Sequence, residues 1–382
     1  MTSPAPIGVY LHWPYCARIC PYCDFNVQRD RGRVDEQAAL VQAMILDLEA
    51  QARLTGPRTL VSVFLGGGTP SLMDPAWAAR LIEAARRLWS PAVEVEVTLE
   101  ANPTDAEADR FALFAEAGVN RLSLGVQSLD DDELRFLGRN HDAGAARRAV
   151  GLGHAAFARL SVDLIYALPG QTVPAWTAAL DRALSELEPE HLSAYQLGVE
   201  AGTAFHRAVE RGRWTPTDAD RAADLYEATQ TRTAHAGFDA YEISNHARGA
   251  SARSRHNLVY WRGEDYAAAG PGAHARLTLD GVRHGAVARL RPGDYVVQVH
   301  ETGTGFETLE ALEARETALE RLILGLRTVE GAPLAELAPL PLDGEALRRL
   351  QRRRLLRVRE GRLTATPRGR LVLDRLCAEL AA

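Results

Sequence analysis

Residues 10–25 read YLHWPYCARICPYCDF, an apolar run that breaks into three cysteines spaced C-x3-C-x2-C. The chain has four cysteines, and three of them, Cys16, Cys20 and Cys23, fall in this one segment. Thiols this close together read as metal-binding or catalytic rather than as a disulfide framework. A short loop can turn one thiolate toward each of three corners of an iron–sulfur cubane. Such a cluster ordinarily takes four thiolates, so a missing fourth leaves one iron open, as an open position marks a catalytic metal. The competing reading is a structural zinc site completed by His12. Zinc knuckles come in pairs, and this chain has no second one. His12 sits inside a strand pattern beside Trp13 and reads as a satisfied core or rim histidine. A ferredoxin would need the full thiolate set. Cys377, in LVLDRLCAEL, fits a small buried hydrophobe on a helix.

Outward from the cysteines, short apolar runs alternate with amphipathic stretches over the first ~200 residues. The strand candidates are Val9–Trp13, Leu60–Leu65, Val93–Leu99, Leu122–Val126, Leu160–Ala167 and Leu192–Leu197. Helical spacing fills Asp35–Leu54, Pro75–Leu88, Asp105–Ala117, Ala143–Ala155 and Val173–Leu187. Strand followed by helix, repeated, predicts parallel strands joined by right-handed crossovers. Six strands fall short of the eight of a closed barrel, so an open, partial (βα)6 barrel is expected over residues 1–200. Residues 201–300 read as a loop-rich extension, with Gly, His and aromatics interleaved. Residues 301–382 read as a mainly helical, winged-helix-like domain whose two-strand wing turns at Glu360-Gly361. The Arg348–Arg354 cluster there fits a solvated helix face.

Sites in parallel α/β folds gather where strands end at their C-terminal side. Here those ends carry Gly66-Gly67-Gly68-Thr69-Pro70, Glu100-Ala101-Asn102-Pro103, Gln127-Ser128, Asp163 with Leu168-Pro169-Gly170-Gln171, and Tyr195-Gln196. Glycine lets backbone approach a ligand closely, and carbonyls suit an ammonium group. Glu100 suits the same cationic end or hydroxyls, Asp163 suits ribose hydroxyls, Arg139 offers a fork for a carboxylate, and Gln127 both donates and accepts.

Composition narrows the function classes. The 382 residues are 46% hydrophobic and 25% charged, with net charge −6, as in an ordinary soluble globular protein. No global basic excess points to a nucleic acid partner. All 44 basic residues are Arg, which excludes chemistry that needs a lysine amine, such as a pyridoxal Schiff base or a P-loop lysine. No apolar run approaches the ~20 residues of a membrane span. The beginning MTSPAPIGVYLHWPYC lacks a basic leader and apolar core, so a cytoplasmic protein is expected.

Together, YLHWPYCARICPYCDF, FLGGGTP, LEANP, GVQS, GRNH, DLIYALPGQT and SAYQL resemble the radical-SAM enzymes of the coproporphyrinogen oxidase-like branch, over about the first 300 residues. The resemblance implies a [4Fe-4S] cluster on Cys16, Cys20 and Cys23. Its open iron would chelate the amino and carboxylate groups of S-adenosylmethionine (SAM), and an electron from it would split the sulfonium to a 5'-deoxyadenosyl radical. SAM contacts are implied for Tyr10, Tyr22, Gly67, Gly68, Thr69, Glu100, Gln127, Arg139, Asp163 and Ala194.

Two activities divide that branch. The oxygen-independent coproporphyrinogen III oxidases carry a further cysteine two positions after the third; here Phe25 stands at that position. They also carry a substantial segment before the cluster, where this sequence has 15 residues. The radical-SAM haem chaperones, or HemW-like proteins, share H-N-x-x-Y-W, present as His256-Asn257-Leu258-Val259-Tyr260-Trp261, with AGPGAHAR shortly after. Imidazole can ligate haem iron and aromatics suit a porphyrin face. The resemblance therefore implies haem binding near His256, Tyr260 and Trp261, with His246, His274 and Tyr260 as other axial candidates. It also implies delivery to haemoproteins such as respiratory cytochromes or oxidases, met at a membrane surface. The oxidase is the alternative.

Overall fold

The computed structural model describes residues 4–105 and 108–381. Six parallel strands follow one another in chain order across its main sheet: β1 (Pro6–Trp13), β2 (Thr59–Gly67), β3 (Ser90–Ala101), β4 (Arg121–Gln127), β5 (Arg159–Tyr166) and β6 (His191–Gln196). Five helices link them as expected: α1 (Val34–Thr55), α2 (Pro75–Leu88), α3 (Ala108–Glu116), α4 (Ala143–Ala156) and α5 (Val173–Leu187). Residues 106–107, in the first turn of the expected helix Asp105–Ala117, lie outside the described residues. Caps set several helix starts. Asp74, Asp142 and Thr172 each accept a first-turn amide of α2, α4 or α5, and prolines occupy the first turns of α2 and α5.

Side chains alternate across a strand, and here the alternation sorts polar from apolar. One parity, including Leu11, Val63, Leu99, Leu124, Val162 and Leu192, packs against the helices in one continuous core. Truncating one such leucine to alanine costs about 2–5 kcal/mol. The other parity faces inward and is mostly polar. The ladder registers align Ser62 with Glu96, Phe64 with Thr98, Arg121 with Arg159, Glu100 with Ser123, and Asp163 with Ser193. The barrel interior is thus a polar surface, and the chemistry stands on rigid strands rather than on loops alone.

The expected loop-rich extension holds much regular structure. After helix α6 (Ala219–His235) come short strands β7 (Asp239–Ala240) and β8 (Asn245–Ala247), then helix α7 (Arg255–Trp261). Strand β9 (Asp265–Ala269) runs parallel to β1 on its free side, and antiparallel β10 (His274–Leu279), β11 (Val282–Ala288) and β12 (Phe306–Ala311) continue the sheet outward. The full order is β12-β11-β10-β9-β1-β2-β3-β4-β5-β6-β8-β7. Helix α8 (Pro292–Thr302) packs on α1. The loop reading failed because β9, DYAAA, has no β-branched residue; its alanines are buried by tight packing, not chosen for strand propensity.

The C-terminal unit has its own core. Helices α9 (Ala314–Arg327), α10 (Gly344–Arg352) and α11 (Leu373–Ala381) surround a small sheet of β13 (Ala332–Pro333), β14 (Leu356–Arg359) and β15 (Arg362–Ala365). The wing turns at Glu360–Gly361, and Cys377 is buried in this core. No described helix is long and apolar enough to cross a membrane.

Candidate functional site

The cysteine loop leaves β1 at Trp13 and lies over the C-terminal mouth of the barrel. A parallel two-residue pairing of Tyr15–Cys16 with Gln28–Arg29 closes its base. Its far end is anchored where the Phe205 amide donates to the Pro21 carbonyl at 2.9 Å. Beneath it runs the glycine turn after β2. There the Gly68 amide donates to Trp13 O at 2.7 Å and Thr69 to Tyr15 O at 2.9 Å. A Cβ on Gly68 would lie 2.7 Å from Tyr15 O, 2.9 Å from Trp13 O and 3.0 Å from Cys16 Sγ, so only glycine admits the loop this close.

All three cysteines line a cavity of about 390 Å³ at the mouth, within the range of small-molecule sites. Burial pushes the Cys16 thiol up to about 11, against a hydrogen bond from Thr69, and burial likewise raises Cys23. Bound metal deprotonates such thiols outright. Arg139 stands over them. Its Nη1 donates to Cys20 Sγ and to the Tyr22 hydroxyl, each at 3.3 Å, and its Nη2 donates to Asn102 and, at 3.0 Å, to Gly125 O. The expected carboxylate fork is therefore already engaged as a cationic brace on the thiol loop.

Tyr22, Gly67, Gly68, Thr69, Glu100, Gln127, Arg139 and Asp163 all line this cavity, so the structure brings together eight of the ten residues expected to contact SAM. Glu100 accepts the Gly67 amide at 3.2 Å, and Asp163 accepts the Ser123 hydroxyl at 3.2 Å. Burial and the neighbouring Asp163 push the Glu100 carboxyl up to about 8, and burial also raises Asp163. Two carboxyls lining one cavity, each disfavoured as an anion by burial, would be charged most readily beside a cation. Gln127 has φ of 67°, rare for a side-chain-bearing residue, and its buried amide oxygen has no hydrogen-bond partner among the described residues. An unpaired acceptor, paired carboxyls and three thiols suit a cationic, polar ligand beside an iron–sulfur cluster.

The other two expected contacts lie elsewhere. Ala194 has the outward parity of β6 and belongs to the helix-facing core, while Ser193 and Tyr195 have the inward one. Tyr10 is inward but deeper, hydrogen-bonded to His12 at 3.0 Å, and lines a second cavity. Asn102 and Gln196 are at strand ends, yet Ser123 and Ser193 were missed because a lone serine in an apolar strand carries no signal without the register.

The signature His256–Trp261 forms α7, which plugs the barrel interior from below. Ser254 caps it, and the buried Glu96 carboxylate accepts the backbone amides of Arg255 and His256, both at 3.0 Å. Burial raises the Glu96 carboxyl, but Arg121, Arg159 and those amides more than reverse it, leaving it below the ordinary range. His256 is only 1% exposed. Its ring stacks on Phe64 at 4.9 Å and hydrogen-bonds through both nitrogens, to Ser62 at 2.9 Å and Tyr260 at 2.6 Å. Burial pushes it down to about 3, a neutral imidazole. As folded, His256 presents no free nitrogen to a ligand, whereas Tyr260 and Trp261 do reach the second cavity. His246 is wholly buried on β8. His12 bonds Tyr10 and, at 2.9 Å, the Asn26 carbonyl.

An open parallel barrel with three clustered thiols at its mouth is the architecture of a radical-SAM fold. Residues 10–183 match the Radical SAM superfamily and residues 312–372 match the HemN C-terminal domain. The chain belongs to the HemW-like group of that superfamily. It is 36% identical over 340 residues to heme chaperone HemW of Escherichia coli (strain K12), covering 88% of this chain and 86% of that one. It is 34% identical over 377 residues to heme chaperone HemW of Bacillus subtilis (strain 168), covering 96% of each. Radical S-adenosyl methionine domain-containing protein 1, mitochondrial, of Bos taurus is 39% identical over 396 residues, covering 99% of this chain and 89% of that protein. Among solved structures, coproporphyrinogen III oxidase (HemN) from Escherichia coli superposes with a TM-score of 0.82 at 22% identity, covering 99% and 91%, which establishes the shared fold.

Proposed function

We propose that this protein is a haem chaperone that binds haem and delivers it to haemoproteins, with a SAM-binding [4Fe-4S] cluster on Cys16, Cys20 and Cys23. The observation that carries the reading is its identity with HemW proteins along nearly the whole chain, combined with Phe25 standing where the oxidases place a fourth cysteine. In this reading Cys16, Cys20 and Cys23 would hold the cluster, which when bound would supply an open iron for SAM. Glu100 and Asp163 hold the cationic and hydroxyl parts of the ligand, Gln127 satisfies its buried oxygen on a donor, and Arg139 braces the thiol loop. The clients are haemoproteins of the respiratory type, met at the inner face of a membrane by a protein of the cytoplasm. Titration of haemin into anaerobically reconstituted protein tests the reading. A saturable Soret shift is expected; no such shift, or turnover of coproporphyrinogen III by the same sample, would overturn it.

A further inference from the structure

The second cavity, about 670 Å³, opens beside the first, and the two share one stretch of wall, Asp24–Phe25, directly after Cys23. Its other walls include Tyr10, Tyr260, Trp261, Tyr266 and Leu290. Tyr260 and Tyr266 meet edge to face at 4.4 Å, which fixes a rigid aromatic surface. Phe25 and Leu290 are exposed at 62% and 58%, an apolar lip that no described residue covers. The cavity therefore combines an aromatic and apolar surface with polar groups, Asp24, Asn26, Arg276 and Glu320, next to the thiol loop.

One imidazole points to what fills it. Of the histidines in or near the cavity, His12 and His256 have both ring nitrogens hydrogen-bonded, and His246 is wholly buried and does not reach it. His274 lines the cavity, is exposed, and makes no side-chain hydrogen bond among the described residues. It begins β10 and shares a strand face with Arg276, while Ala275 and Leu277 on the other parity are buried. The turn that presents it is fixed. Asn26, just past the thiol loop, donates to Pro271 O at 2.9 Å and Leu290 O at 2.8 Å. At Gly270, with φ of 116°, a Cβ would fall 2.3 Å from His12 O. Partial burial and the Arg276 guanidinium lower the His274 pKa, which favours the neutral imidazole that ligates metals.

We propose that the second cavity is where haem docks, edge-on against Tyr260, Trp261 and Tyr266, with the His274 imidazole as the axial donor to iron and the signature His256 as a positioning residue inside the plug. The placement rests on the haem-chaperone reading and names its ligand. It puts the macrocycle against Asp24–Phe25, so the cluster loop and the cargo share a wall.

The test uses full-length, anaerobically reconstituted protein titrated with haemin and, separately, with iron-free protoporphyrin IX. His274→Ala is expected to weaken haemin binding about tenfold or more and to shift the Soret and magnetic circular dichroism bands to a different axial set. Iron-free protoporphyrin, which needs only the walls, should bind both proteins alike, and free imidazole should restore the haemin bands to the variant. Trp261→Ala is expected to weaken both porphyrins. Haemin bound by His274→Ala with wild-type affinity and bands would overturn the placement while leaving the chaperone reading intact, and equal loss of both porphyrins would overturn the axial role. Failure of the wild type to bind haemin would sink the chaperone reading itself.

Discussion

Replacing His256 with alanine separates two jobs that the H-N-x-x-Y-W signature suggests, ligand and plug. The structure assigns the imidazole to the plug, so the loss should appear in stability. Removing the ring strands the Ser62 and Tyr260 hydroxyls, now bonded to it at 2.9 and 2.6 Å, in a site with almost no water access. Each unpaired buried hydroxyl costs about 1–3 kcal/mol, and the lost stacking on Phe64 adds about 0.5–1.5 kcal/mol. A total of roughly 2.5–7.5 kcal/mol is a large fraction of the about 5–15 kcal/mol typical of a folded domain. At about 2 °C per kcal/mol for a chain larger than 150 residues, the melting temperature should fall by about 5–15 °C. Thermal melts followed by circular dichroism measure this. Adding Tyr260→Phe to His256→Ala should cost less than Tyr260→Phe alone, because the hydroxyl it removes is already orphaned. An unchanged melting temperature, together with a lost haem band, would refute the argument and return His256 to the role of ligand.

Three further outcomes follow from the same geometry. Gly68→Ala should fold but fail to load its cluster, since the new Cβ meets two carbonyl oxygens and Cys16 Sγ within 3.0 Å; iron and sulfide analysis after anaerobic reconstitution should show less than about half the wild-type content, at an overpacking cost of about 1–3 kcal/mol. Glu100 holds its proton up to about pH 8 because burial and Asp163 disfavour its charge, and a sulfonium ligand favours the carboxylate. SAM affinity should therefore rise with pH by up to about tenfold per unit until pH 8 and level off above it; equilibrium dialysis showing a flat profile from pH 6.5 to 8 would contradict the pairing. Glu96→Gln removes a buried carboxylate that holds Arg159 at 2.8 Å and two α7 amides, and chemical denaturation should show a loss of about 3–5 kcal/mol.

The barrel was legible because its strands repeat one local pattern: an apolar run, a polar or glycine-rich end, and a capped amphipathic helix. Each of the six strands and five helices expected over the first 200 residues is present within a few residues of its expected bounds. What stayed hidden depended on pairing rather than on local sequence. The alanines of β9 become strand only because β1 and β10 flank them. Ala194 and Tyr10 fall outside the first cavity for a related reason, since parity and depth along a strand are set by the register. His256 shows the limit of composition: a histidine beside tyrosine and tryptophan fits a haem contact or a satisfied plug equally well until its partners are seen.

Helix α9 ties the two cores together where it matters. Glu320 pairs with Arg276 at 2.8 Å and Arg283 at 3.0 Å, Arg321 donates to the Trp261 carbonyl at 2.9 Å, and Glu320 and Leu324 stand in the wall of the second cavity. The residues that match two separate families thus do not divide the molecule into independent modules. A chain cut before Ala314 would take the Glu320 carboxylate from Arg276 and Arg283 and leave one flank of that pocket missing, so the carboxy-terminal unit belongs to the pocket's own masonry.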